Sequence, residues 1–114
     1  MDVTKEKLAE LKAAHGTVYE GSITYKDRND ELVKVEFIFR EPTNADAEVM
    51  MQGAGRDPMA ANQNLLASLI VHPEPIEVMK ELKEYPLAVG KFNDQNIVPF
   101  FGGGNSTSVT KRKL

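Results

Sequence analysis

The sequence has no cysteine among its 114 residues, so neither a disulfide framework nor a thiolate metal site is available to it. Histidine is almost as scarce. His15 and His72 stand far apart and lack the spacing of a metal-binding pair, and no neighbouring feature nominates an orienting partner for a general base. Each falls at a predicted helix end, where an imidazole interacts favourably with the helix dipole. Long apolar runs are missing too. The longest, Leu69-Ile70-Val71, is far short of the roughly 20 residues that cross a bilayer. The first fifteen residues are charged throughout, unlike a secretory signal. No strong charge imbalance exists either: the net charge is -3, which gives no electrostatic footprint for nucleic acid. These absences describe a small acidic domain suited to the cytoplasm, with no nucleic-acid or membrane partner and no cofactor.

What is present is a 41% apolar, 27% charged chain, the composition of an ordinary globular domain. Its periodicity changes twice. Residues 4–14 read as a helix with Leu8, Leu11 and Ala14 on one stripe, Thr4 as N-cap and Gly16 as terminator. From residue 17 the period becomes two. Tyr19, Ile23 and Tyr25 share one face, and beyond the polar turn 27–31 so do Val33, Val35, Phe37 and Phe39. A β-hairpin over about 17–40, with one buried face, is predicted.

After Pro42 helices take over. Thr43 with Asp46 forms a capping-box start for a helix over about 44–52. Asp57-Pro58 opens a second helix to about Val71, expected to bury Met59, Leu65, Leu66, Leu69 and Ile70 before His72-Pro73 stops it. A third is expected over 75–85, and Pro86 starts a fourth short segment. The predicted fold class is therefore α+β: an N-terminal helix and antiparallel hairpin, then a subdomain of three to four short helices over about 43–101. Residues 1–101 form one domain. Residues 102–114, Gly-Gly-Gly-Asn-Ser-Thr-Ser-Val-Thr-Lys-Arg-Lys-Leu, are expected to be a flexible tail because they supply so little burial.

Candidate sites yield little chemistry. Gly53-Ala54-Gly55-Arg56 suggests an anion loop, yet it lacks the third glycine of a dinucleotide fingerprint and the Gly-Lys-Ser/Thr of a P-loop. It also follows a predicted helix where both motifs need a strand, so a turn between helices is expected. Glu77, Glu81 and Glu84, interleaved with Lys80 and Lys83, have the pattern of a solvated helix face. Lys111-Arg112-Lys113 reads as a solubilising end with at most weak, salt-dependent attraction to phosphate. Met50, Met51, Met59 and Met79 suit either an ordinary core or an adaptable contact surface. The hairpin and the helix of Leu65, Leu66 and Leu69 suffice for a core, leaving the later helices with apolar residues to spare. On that argument Ile76, Met79, Leu82, Phe92, Phe100 and Phe101 are the expected partner-binding residues.

Three stretches carry a family likeness: "FIFREPTNADAE", "NLLASLIVHPEP" and "LKEYPLAVGKFNDQNIVPFFGGG", about half the chain. They resemble tail assembly chaperones of long-tailed bacteriophages and prophages, in which an aromatic-rich strand leads into a Pro-Thr-x-x-Asp helix start. The resemblance implies a non-enzymatic protein of the bacterial host cytoplasm. It would coat the apolar tape-measure protein and help recruit tail tube subunits. The alternative is a structural component of a phage tail or related particle, a homo-oligomer joined through its hairpin or C-terminal helices.

Overall fold

A computed structural model describes residues 2–102 and 111–114 of the protein. Helix α1 spans Lys5–His15, with the Thr4 hydroxyl accepting a hydrogen bond from the Lys7 amide at 3.1 Å. It ends at Gly16, whose φ of 77° is costly for any residue bearing a Cβ. Strands β1 (Val18–Lys26) and β2 (Leu32–Arg40) pair antiparallel in strict register from Val18 opposite Arg40 to Lys26 opposite Leu32. The period-two pattern thus places Tyr19, Gly21, Ile23 and Tyr25 beside Phe39, Phe37, Val35 and Val33 on one face.

The sheet is larger than a hairpin. Strand β3 (Ile70–His72) pairs antiparallel with the end of β2, and β4 (Lys111–Lys113) pairs antiparallel with the start of β1, giving the order β3-β2-β1-β4. Two expectations are corrected here. The helix beginning at Pro58 ends at Leu69, and Ile70 turns into extended backbone to join the sheet. Residues 111–114 are not a tail. Tyr19, Glu20 and Gly21 face Lys113, Arg112 and Lys111 across the ladder, and the Leu114 amide donates to the Val18 carbonyl. A sheet edge thus supplies backbone partners that the tail's own composition could not advertise. The rest of the expected tail, residues 103–110, lies outside the described residues.

Helices α2 (Asn44–Ala54), α3 (Pro58–Leu69), α4 (Pro75–Leu82) and α5 (Pro86–Asn96), with a 3-10 turn at Val98–Phe101, complete the α+β fold. α3, α4 and α5 cover the aromatic face of the sheet, and α2 packs on α3. Phe37, Phe39, Leu66, Leu69, Leu82, Val89 and Ile97 are fully buried there, each contributing about 1.5–3 kcal/mol of transfer free energy. Gly21 lies at the centre. A Cβ on it would come within 2.9 Å of Phe92 Cζ and 3.0 Å of the Phe37 and Phe39 rings, so the missing side chain is what lets three rings converge. Phe92 meets Phe37 and Phe39 edge-on at 5.2 and 5.9 Å between centroids.

The opposite face is not wholly solvated, contrary to the one-faced hairpin expected. Val18 and Ile38 pack there with Leu11 of α1 in a second, smaller cluster, flanked by Val3, Leu8, Val71 and Leu114.

Candidate functional site

Among the described residues, no three His, Asp or Glu side chains come together in a way that could hold a metal ion. His15 is an exposed residue at the end of α1, and His72 is half-buried at the end of β3. Gly53 and Ala54 are the last residues of α2, and Gly55-Arg56 form the turn between α2 and α3. Glu77, Glu81 and Glu84 are exposed, as expected. Glu81 accepts a hydrogen bond from the Tyr25 hydroxyl at 3.1 Å, and Glu84 lies 3.8 Å from Arg28. Loss of solvent, and then the Glu81 carboxylate, push the Tyr25 phenol up to about 12.

The six expected contact residues do not share one surface. Leu82 and Phe92 belong to the core, which corrects their assignment as contacts: the sheet's aromatic face is wide enough to absorb them. Phe100 is half-buried, edge-on to Tyr19 at 5.2 Å between centroids, with the Lys111 ammonium 3.9 Å above its ring and also bonded to the Asn96 carbonyl. That burial holds the Lys111 amine below its ordinary range. Ile76, Met79 and Phe101 remain accessible in part or in full. Ile76 is 80% exposed on α4 above a shallow depression shared with Glu77, Met79, Lys80 and Lys83, while Phe101 is 40% exposed at the end of the 3-10 turn.

A better-formed concavity lies elsewhere, between α2 and α3. Its volume is about 300 Å³. Asp46, Val49, Met50 and Gly53 line one wall and Ala61, Asn64, Leu65 and Ser68 the other. Each wall has the i, i+3, i+4, i+7 spacing that one helix presents to another. At the narrow end Gly53 lets the helices touch: a Cβ there would lie 3.2 Å from that of Ala61. At the other end Arg40 spans both helices. Its guanidinium donates to the two Asp46 carboxylate oxygens at 2.9 and 3.2 Å and to the Ser68 carbonyl at 3.3 Å.

Asp46 is the hub of that end. It also accepts from the Thr43 amide at 2.7 Å and the Thr43 hydroxyl at 3.0 Å, while Thr43 accepts from the Asp46 amide, completing the capping box predicted from sequence. The Arg40 hydrogen bond, aided by those from Thr43 and opposed by partial burial, holds the Asp46 carboxyl down at about 2.

Met50 packs against the core, whereas Val49 and Met51 point outward. Val49 is 68% and Met51 72% exposed, and no residue of α2 is buried. Met59, expected in the core, is half-exposed on the first turn of α3. Val49 was not among the expected contact residues, which were sought in the later helices. The signal was present nonetheless, in the 46, 49, 50, 53 spacing that ends on Gly53.

Comparison with known proteins adds a fold and a family. The solved structure of an uncharacterised protein, rbstp2171 from Bacillus stearothermophilus, is similar over 90% of this chain and 99% of its own, with a TM-score of 0.64 at 24% identity. At that identity the likeness speaks for the fold alone. No curated protein of described function matches. The family model described as "Domain of unknown function (DUF6848)" matches residues 11–110, and the chain belongs to that family.

Proposed function

We propose that the protein is a non-enzymatic binding module that holds an apolar helical segment of another protein in the α2–α3 groove. The observation that carries this is the pair of helix walls with matching spacing, rimmed by exposed Val49 and Met51. The groove is at the small end of the range for ligand sites. It would accept apolar side chains from a docked helix rather than engulf the helix itself. Methionines suit such a contact, because their flexible, polarisable side chains adapt to varied partners.

In the setting implied by the sequence resemblance, the client is a phage or prophage tape-measure protein, and this protein is a tail assembly chaperone acting in the host cytoplasm. It would shield the client until tail tube subunits enclose it. Co-expression with a long apolar helical protein encoded nearby is expected to keep that protein soluble and to yield a co-purifying complex. Val49→Asp should weaken the complex at least tenfold without altering the thermal melt, since the side chain is mostly solvent-exposed. An unchanged affinity in that variant excludes the groove. Recovery of the protein in purified, finished particles would replace the chaperone reading with that of a structural tail component.

A further inference from the structure

We propose that two copies of the protein pair edge to edge through the open half of β2, in an antiparallel register centred on Val35. β2 is covered unevenly. β1 pairs with it along its whole length, whereas β3 reaches only Ile38 and Phe39 on the other side. Beyond His72 the chain leaves the sheet through Pro73, which has no amide to offer a ladder. No helix has more than slight backbone contact with β2. Among the described residues, 32–37 therefore have no strand on their outer side.

The hairpin fixes which groups face that side. The Asp27 amide donates to the Glu31 carbonyl at 2.9 Å, so it is the odd-numbered residues of β2 that exchange hydrogen bonds with β1. Leu32, Lys34 and Glu36 then turn their backbone amides and carbonyls to the open side. Their side chains share the face opposite the aromatic core, where Lys34 and Glu36 lie 3.8 Å apart. A second copy lying antiparallel keeps like faces together only when the pair is centred on a residue. Centred on Lys34, it sets that lysine against itself; centred on Glu36, it sets two carboxylates together. Centred on Val35, it places Lys34 opposite Glu36 of the partner subunit, and does so twice. Val35 then lies beside the partner's Val35, and Val33 beside the partner's Phe37.

A lone lysine on an edge strand usually discourages such pairing. The glutamate two residues on reverses this, because the two charges become their own complement when the strand is turned end for end. Apolar contact adds to the charges. Val33 and Val35 are half-buried, Val35 at the margin of the core, and Leu32 is 73% exposed. Pairing joins the apolar faces of two sheets across Val35 and brings Leu32 beside the β2–β3 junction of the other copy. The Glu36 side chain lies on the outer face, clear of the ladder, so its contacts within its own chain are kept. A ladder this short gives a weak dimer, at the low end of specific interfaces. It lies at the hairpin end of β2, whereas α2 follows the other end, so the dimer does not depend on the groove being a client site.

Sedimentation over a range of concentrations reads the association, and thermal melting checks the fold of each variant. Lys34→Glu and Glu36→Lys should each weaken self-association about tenfold, since two attractive pairs become repulsive. The double variant Lys34→Glu/Glu36→Lys should regain it. The two single variants, mixed, should associate with each other more tightly than either does with itself. The absence of cysteine allows a second reading by cross-linking. Under mild oxidation Val35→Cys should form a disulfide-linked dimer about tenfold faster than Lys34→Cys or Glu36→Cys, because only residue 35 meets itself within disulfide reach. A chain that stays monomeric at millimolar concentration would overturn the dimer. Association unmoved by either charge variant, or not regained by the double one, would overturn the pairing of Lys34 with Glu36. Cross-linking fastest at 34 or 36 would overturn the register.

Discussion

Helices α2 and α5 are each eleven residues long, yet they are attached to the protein in opposite ways. α2 has the better local signals: a reciprocal capping box at Thr43 and Asp46 and an ion pair anchoring its first turn. α5 has no side-chain cap at all. Nevertheless α5 buries Val89, Phe92, Asn93 and Asn96, whereas α2 buries nothing. Capping chemistry decides where a helix begins, at about 1 kcal/mol per cap. It does not decide how much of the helix the rest of the fold covers. That depends on which residues meet the broad aromatic face of the sheet, and α5 meets it at Phe92.

The contrast makes α5 part of the core and α2 an attachment to it. It predicts a steep gradient of mutational effects. The largest should come from Phe92→Ala, which removes the ring wedged between Phe37 and Phe39. A loss of about 3–5 kcal/mol in urea unfolding is expected, enough to leave much of the chain unfolded at 37 °C. A loss under 1 kcal/mol would show that α5 is no more integral than α2.

Next comes Gly21→Ala. The added methyl would press on the same rings at 2.9–3.0 Å, and overpacking of this kind typically costs about 1–3 kcal/mol. The double variant Gly21→Ala/Phe92→Leu should recover part of that loss, because the narrower side chain makes room. Absence of any rescue would place the strain elsewhere than at the aromatic cluster.

The third effect belongs to α2 and depends on pH. The folded-state pKa of Asp46 is about 2, below its ordinary 3.8, so its ion pair stabilises the fold above about pH 4 and is lost as pH falls towards 2. Because the pair is near the surface, about 1 kcal/mol is expected after allowing for solvent screening. Asp46→Asn should be less stable than the parent at pH 6, and the difference should shrink steadily as pH falls through about 2. A constant difference across that range would attribute the loss to the cap rather than to the charge.

The smallest effects should come from the outer face of α2. Val49→Ala and Met51→Ala are expected to change stability by no more than about 0.5 kcal/mol, as is usual for exposed positions. A larger loss would mean that α2 is covered in solution by another molecule, and sedimentation of the two variants would reveal a second copy as the cover.

Much of the local structure was legible in the residues. Thr4, Thr43, Asp57-Pro58, Pro75 and Pro86 each start a helix where their chemistry says they should, and the two alternating runs pair over their whole length. Capping and pleating depend on neighbours within a few positions, so a single chain displays them. The candidate site was half legible: the 46, 49, 50, 53 spacing stands in the sequence, but its partner wall does not announce itself. What only the tertiary structure decided were the matters of competition for the sheet. Leu82 and Phe92 looked like surplus apolar residues, and the sheet took them. Met59 looked like core, and no surface remained to receive it. Ile70 left its helix, and Lys111–Lys113 left an otherwise polar terminus, because β2 and β1 offered unpaired backbone groups at their edges. Burial and edge pairing depend on residues far apart in the chain, and neither a period nor a cap carries that information.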